Sequence, residues 1–169
     1  MAWLRRYFWT LVWLLTGPGL FLFLVPQWIA ALGGRSLEWH ATPQQWLGLW
    51  LLLNGAGLAG WCVLLFFGEG EGTPLPTCPP ERFVAVGPYR YVRNPMAIGL
   101  LLLLVAEACL YGSLGVALYG LVIFVLVRAF ILRVEEPDLE KRFGPLYCTY
   151  KKQVPRWIPH LRQSTRLDL

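Results

Sequence analysis

The chain has 169 residues, 56% of them hydrophobic and only 15% charged, with a net charge of +5. A soluble domain carries about 25% charged residues, and nine Trp, nine Phe and seven Tyr widen the gap, so the composition excludes an ordinary soluble globule and points to one domain, 1–169, that shares its core with lipid. The basic residues show no interleaving with aromatics of the kind nucleic acid requires; their excess reads as topology and contact with anionic headgroups.

In chain order, the stretch 8–31 contains no charged residue. As a helix it covers about 36 Å, enough to cross a hydrocarbon core of ~30 Å. Its apolar core is too long for a cleaved signal peptide, and further apolar stretches follow. Gly17-Pro18-Gly19 and Pro26 predict a kink or tight packing within it. The stretch 46–67 is a second span. Its NGAGLAG run, from Asn54 to Gly60, offers a small-residue face for close helix approach. The stretches 96–111 and 113–132 are a third and a fourth span, joined at Gly112 as a tight antiparallel hairpin. Glu107 lies about 16 Å along the third helix from Met96, toward the far side. An intramembrane carboxylate is a functional candidate by default, with snorkelling to the outer interface as the alternative.

Arg and Lys orient these spans. Arg5 and Arg6 precede the first; the loop 32–45 holds only Arg35, opposed by Glu38; the loop 68–95 holds Arg82, Arg90 and Arg93; and the tail 133–169 is rich in Lys and Arg. The positive-inside rule therefore places both termini and the 68–95 loop in the cytoplasm. The expected fold is all-α: a polytopic membrane protein with four transmembrane helices, the third and fourth a hairpin, and a cytoplasmic amphipathic helical tail. In that tail Gly144-Pro145 predicts a break between two short helices, which lie on the membrane surface, and 154–159 closes the chain in extended form. Cys62 and Cys109 fall in apolar spans as small hydrophobes, while Cys78 and Cys148 fall in a reducing compartment. With no CxxC, and with His40 and His160 isolated, no metal site is expected.

Two polar clusters face the cytoplasm. In GPYRYVRNP, residues 87–95, Asn94 is a favoured N-cap and Pro95 suits the first helical position. The free N–H groups of that helix start attract an anion, with Arg90 and Arg93 beside it; anchoring to lipid phosphates explains the same residues equally well. Glu135 and Glu136 follow the fourth span on the same face. They suit a cation, an amine or a ribose hydroxyl, or a cap for the short helix begun by Pro137.

Taken together, GPYRYVRNPMAIG and EEPDLEKRFGPLYCTYKKQVPRWIP, within residues 81–159, resemble the integral-membrane methyltransferases of the isoprenylcysteine carboxyl methyltransferase kind and the related phospholipid methyltransferases. The resemblance implies S-adenosylmethionine (SAM) bound from the cytosol and methyl transfer to a lipid-like or prenylated small substrate reached from the bilayer. It also implies a bacterial inner (plasma) membrane location. Residue by residue, it implies cofactor contacts from the strand-like stretch Glu81, Arg82, Phe83 and Val84, and from Tyr89, Asn94, Pro95, Met96 and Ala97. Glu135 would hold the polar end of the cofactor with Glu136 beside it, and Tyr147, Tyr150 and the Pro155-Arg156 turn would close the pocket. The chain departs from the family pattern at Ala97, where Tyr is usual, and at Ile131, where the prenylcysteine enzymes carry Arg. Arg128 and Arg133 are then the nearest cations for orienting a substrate. The residues leave open the acceptor atom and the oligomeric state. They also leave open an NADPH-dependent reductase of the steroid-reductase type and a non-catalytic membrane scaffold.

Overall fold

The computed structural model describes residues 19–74 and 79–159. Residues 8–18 of the expected first span, together with Cys78 and His160, lie outside the described residues. The described residues form five helices and no β-strand. Helix α1 (Leu20–Leu32) opens with a π turn at Leu20–Leu24, where the Val25 N–H reaches back to the Leu20 carbonyl. Pro26 follows directly; its ring has no N–H and crowds the carbonyl four residues back, so the turn before it widens. The distortion predicted for this helix takes that form.

Helix α2 (Pro43–Gly68) starts three residues before the predicted span because Thr42 and Gln45 form a reciprocal capping box. The Gln45 amide oxygen accepts from the Thr42 N–H at 3.4 Å and the His40 N–H at 2.9 Å, and the Thr42 hydroxyl accepts from the Gln45 N–H at 3.2 Å. Asn54 turns outward and donates to the Trp50 carbonyl of its own helix at 2.7 Å. After α2 the Gly- and Pro-rich loop returns to the helix end, where the Gly70 carbonyl accepts from the N–H groups of Glu81 (2.8 Å) and Arg82 (3.1 Å).

Helices α3 (Pro95–Tyr111) and α4 (Leu114–Phe143) form the predicted hairpin. Gly112 supplies the left-handed residue at φ +59° that ends α3, and the Ser113 hydroxyl caps α4 by accepting from the Val116 N–H. The tail does not begin at residue 133 as a separate helix. Instead α4 continues from the apolar stretch through a π turn at Ile131–Glu135 into Glu136–Phe143. Pro137 explains this turn as Pro26 explains the first, with the Glu136 N–H bonded to the Ile131 carbonyl five residues back. Gly144, at φ +54° and ψ −128°, then breaks the chain before α5 (Pro145–Gln153), as predicted.

α2 and α4 are each long and apolar enough to cross a membrane; the described part of α1 and the whole of α3 are shorter apolar helices. Large side chains such as Trp50, Trp61, Leu64 and Leu118 point outward from them, as a lipid-facing surface requires. The closest helix contact lies between α2 and α3, where a Cβ on Gly55 would come within 2.8 Å of the Gly99 carbonyl, and one on Gly99 within 2.9 Å of the Gly55 carbonyl. The NGAGLAG face therefore lets two backbones touch. Leu22, Leu103 and Leu104 form the core where α1, α3 and α4 meet, and the Tyr119 hydroxyl donates to the Phe21 carbonyl at 2.9 Å. Glu107 is buried among these helices at 6% exposure, and its Oε2 has no hydrogen-bond partner among the described residues.

Candidate functional site

Three pieces of chain converge where α3 begins: the end of the long loop with its 3-10 turn at Gly87–Arg90, the π turn of α4, and α5 with the segment after it. Phe83 is the hub. Its ring lies 4.9 Å from Tyr150, 5.9 Å from Tyr147 and 5.3 Å from Phe143, centroid to centroid. Tyr147 and Tyr150 are three residues apart on α5, hence on one face, and both are buried. The Tyr150 hydroxyl donates to the Tyr89 carbonyl at 2.7 Å, which fastens α5 to the 3-10 turn. Tyr89 is packed in turn with Cys62, Val84, Phe66 and Met96, its hydroxyl against the Cys62 thiol.

Charge is concentrated at the π turn. Glu136 is buried, and both of its carboxylate oxygens are occupied. Oε1 accepts from Arg93 Nη1 at 2.9 Å and Arg156 Nε at 2.8 Å, and Oε2 accepts from Arg156 Nη2 at 2.9 Å. Burial pushes this carboxyl up, but the Arg156 hydrogen bonds and the charges of Arg93, Arg156 and Lys151 outweigh it and hold the group below its ordinary value. Glu135 is the opposite case. It forms no ion pair among the described residues. Its side chain remains accessible to solvent yet is hemmed in by protein, as in an open recess. Loss of hydration, and then the charge of Glu136, raise its carboxyl above the usual range. Its field reaches the hydroxyls of both Tyr89 and Tyr147. Burial raises those phenols too, Tyr147 to about 12, so both stay protonated and available as donors at neutral pH. Arg93 faces the same Tyr147 hydroxyl: its side chain is 10% exposed, and its buried Nε has no acceptor among the described residues.

The structure thus gathers Phe83, Val84, Tyr89, Asn94, Pro95, Met96, Glu135, Glu136, Tyr147 and Tyr150 into adjoining clusters. Ala97 sits half-buried in the first turn of α3. Glu81 and Arg82 are exposed, and Arg82 is held by Glu71 at 2.9 Å. The stretch 81–84 is not a strand: its backbone hangs from Gly70, and no second strand lies beside it among the described residues. Asn94 holds the N-cap position of α3 and Pro95 the first helical one, as expected, and the Asn94 carbonyl accepts from the Ile98 N–H at 3.1 Å; its side chain, however, makes no cap hydrogen bond. Its φ of −123° and ψ of 55° carry the side chain elsewhere, and the amide donates to the Arg156 carbonyl at 3.5 Å. Arg128 and Arg133 are exposed on α4 and form no ion pair among the described residues. Cys62 was missed. It reads as a filler residue in an apolar span, and only its position seven residues after Gly55, on the same helix face, connects it with the site.

A phospholipid methyltransferase family model matches residues 39–145. The chain belongs to the phospholipid methyltransferase family. Among characterised sequences, it is 32% identical over 103 residues to methanethiol S-methyltransferase of Crocosphaera subtropica, covering 61% of this chain and 37% of that protein. It is 27% identical over 128 residues to the cobalt-zinc-cadmium resistance protein CzcN of Cupriavidus metallidurans, covering 69% of this chain and 55% of that one. An uncharacterized protein of Haemophilus influenzae is 41% identical over its whole length, 64 residues. The chain therefore spans about a third to a half of the two relatives whose names describe a role. No solved structure matches it. The family match takes in Tyr89, Arg93, Asn94, Glu135 and Glu136, and stops two residues before Tyr147.

Proposed function

We propose that this chain is a SAM-dependent methyltransferase that acts at the cytoplasmic membrane face on a lipid-like or membrane-partitioned small molecule. The observation that carries the reading is the pair of groups beside the Tyr147 hydroxyl that the described residues leave free, the solvent-accessible Glu135 carboxylate and the buried Arg93 Nε without an acceptor. A free amino acid end, with one ammonium and one carboxylate, answers both, and the methionyl part of SAM is such a group. Leaving a buried polar atom such as Arg93 Nε unpaired costs about 1–3 kcal/mol, and Glu135 offers a free carboxylate to an ammonium, so the two groups fit this cofactor on their own chemistry.

Bound SAM supplies a methyl group already activated on a sulfonium. The residues of this chain have to bind, align and dry the site. Glu135 neutralises the ammonium, and Arg93 Nε and the first N–H groups of α3 face the carboxylate. The Phe83, Tyr147 and Tyr150 cluster keeps water from one wall, so that an acceptor can be held in line. An apolar groove of ≈ 610 Å³ between α3 and α4, which runs from Leu101 and Phe124 away from the site to the hairpin turn at Gly112, supports an acceptor that partitions into lipid. Four spans, both termini in the cytoplasm and a bacterial inner-membrane location complete the proposal; the distribution of Arg and Lys supports them.

The test is titration calorimetry of the detergent-purified chain with SAM and with its demethylated product. Micromolar binding that Glu135→Ala abolishes is expected. Wild-type protein that binds neither compound would overturn the cofactor reading, and a preference for NADPH in thermal-shift competition would replace it with the reductase.

A further inference from the structure

The adjacent glutamates differ in a way that the cofactor reading does not use. Glu135 forms no ion pair or hydrogen bond among the described residues, whereas Glu136 is saturated by Arg93 from the start of α3 and by Arg156 from beyond α5. Arg156 belongs to a short segment that lies across the start of α3. The Arg93 N–H donates to the Pro155 carbonyl at 2.9 Å, and the Asn94 amide donates to the Arg156 carbonyl at 3.5 Å. One residue on, the Trp157 ring rests 5.6 Å from Phe124 on α4, at the apolar groove between α3 and α4. Val154, which begins the segment, is buried with Tyr147 and Tyr150. Residues 154–157 therefore run from the tyrosine wall, over the helix start, to the groove. Among the described residues, Glu136 is the one carboxylate that ties this strap to the body of the protein.

We infer that Glu136 is a positioning residue: it latches the 154–157 strap across the start of α3, beside the Glu135 and Arg93 of the proposed cofactor site, and it does not bind the cofactor itself. The latch follows from geometry. A carboxylate whose two oxygens already accept three charge-assisted hydrogen bonds has little left to offer an ammonium. The π turn places consecutive side chains in different surroundings, one toward the recess and one between two arginines. The latch also turns the Arg93 guanidinium, because Nη1 is held by Glu136 while Nε is left for a ligand. Releasing Glu136 frees the strap and the orientation of Arg93 together. This inference rests on the proposed cofactor site for its ligand, whereas the latch itself can be tested without any ligand.

Hydrogen exchange read by mass spectrometry, on the full chain in detergent, follows the Arg93 N–H and the backbone of 154–157. It is paired with calorimetric binding of S-adenosylhomocysteine. In Glu136→Gln the strap and Arg93 peptides should exchange at least about tenfold faster, and affinity should fall about tenfold without vanishing. Glu135→Gln should leave strap exchange at the wild-type rate and remove binding. Arg156→Gln leaves Glu136 with Arg93 and Lys151, and so keeps the latch testable if Glu136→Gln does not fold. It should loosen the strap, while Arg156→Lys should recover affinity to within about threefold. Unchanged strap exchange in both Glu136→Gln and Arg156→Gln would overturn the latch. So would complete loss of binding in Glu136→Gln with the strap still protected, which would make Glu136 a direct ligand. A wild-type chain that binds no S-adenosylhomocysteine would remove the cofactor reading alone, and the exchange rates would still decide the latch.

Discussion

Removing Glu136 should cost this protein more stability than removing either of its arginines. Its side chain is 6% exposed and Arg93 is 10% exposed, whereas Arg156 is 25% exposed. Glu136→Ala leaves Arg93 as a buried cation with no counter-charge, a change that costs about 3–5 kcal/mol. Arg156→Ala leaves Glu136 paired with Arg93 at 2.9 Å and near Lys151 at 4.0 Å. It forfeits two charge-assisted hydrogen bonds of a partly exposed arginine, which solvent replaces in part, about 1.5–3 kcal/mol together. For a chain of this size each kcal/mol moves Tm by about 2–4 °C, so Glu136→Ala should lower it by about 6–20 °C and Arg156→Ala by roughly half as much. Thermal unfolding in one detergent, with each single variant and the triple Arg93→Met/Glu136→Leu/Arg156→Met, is the assay. The triple should recover most of the loss, because no buried charge is left alone. Equal losses for Glu136→Ala and Arg156→Ala, or a loss below about 1 kcal/mol for Glu136→Ala, would refute the reasoning.

Three further outcomes follow from the same site and from the helix contact. The Glu136 carboxyl is held below its ordinary value of 4.5, so its stabilisation is fully present above that value and is lost as pH falls through the depressed folded value. Tm measured from pH 7 downward should fall more steeply in wild type than in Glu136→Gln, and parallel curves would contradict the assignment. The Glu135 carboxyl is raised, which means its charge opposes folding once pH passes the ordinary range. Glu135→Gln should therefore raise the Tm of the ligand-free protein at pH 7 by a few degrees while removing cofactor binding. Gly99→Val should destabilise by about 1–3 kcal/mol in the same thermal assay, because a Cβ there meets the backbone of Gly55 and Ala59 at 2.9 Å; Gly57→Val, where a Cβ meets nothing within 4 Å, should be nearly silent.

Much of the architecture follows from patterns that act over a few residues. Apolar stretches longer than a helix turn can bury, a glycine able to adopt φ +59° between two of them, and Gly144 before Pro145 are local instructions, and the helices obey them. The same holds for the two blocks of residues whose side chains meet, since the turn at Gly112 brings the end of α4, with Glu135 and Glu136, back beside the start of α3 and GPYRYVRNP. Pairing across the chain is not local. Nothing within a few residues of Asn94 tells its amide to bond the Arg156 carbonyl rather than cap α3. Nothing near Pro137 shows that α4 runs on through a π turn instead of stopping at the membrane edge. Glu135 and Glu136 read as twins in the sequence, one carboxylate after another. Only the packed structure separates them, because burial between Arg93 and Arg156 depends on chain segments 43 and 20 residues away, and the electrostatics of a carboxylate are set by what surrounds it in space.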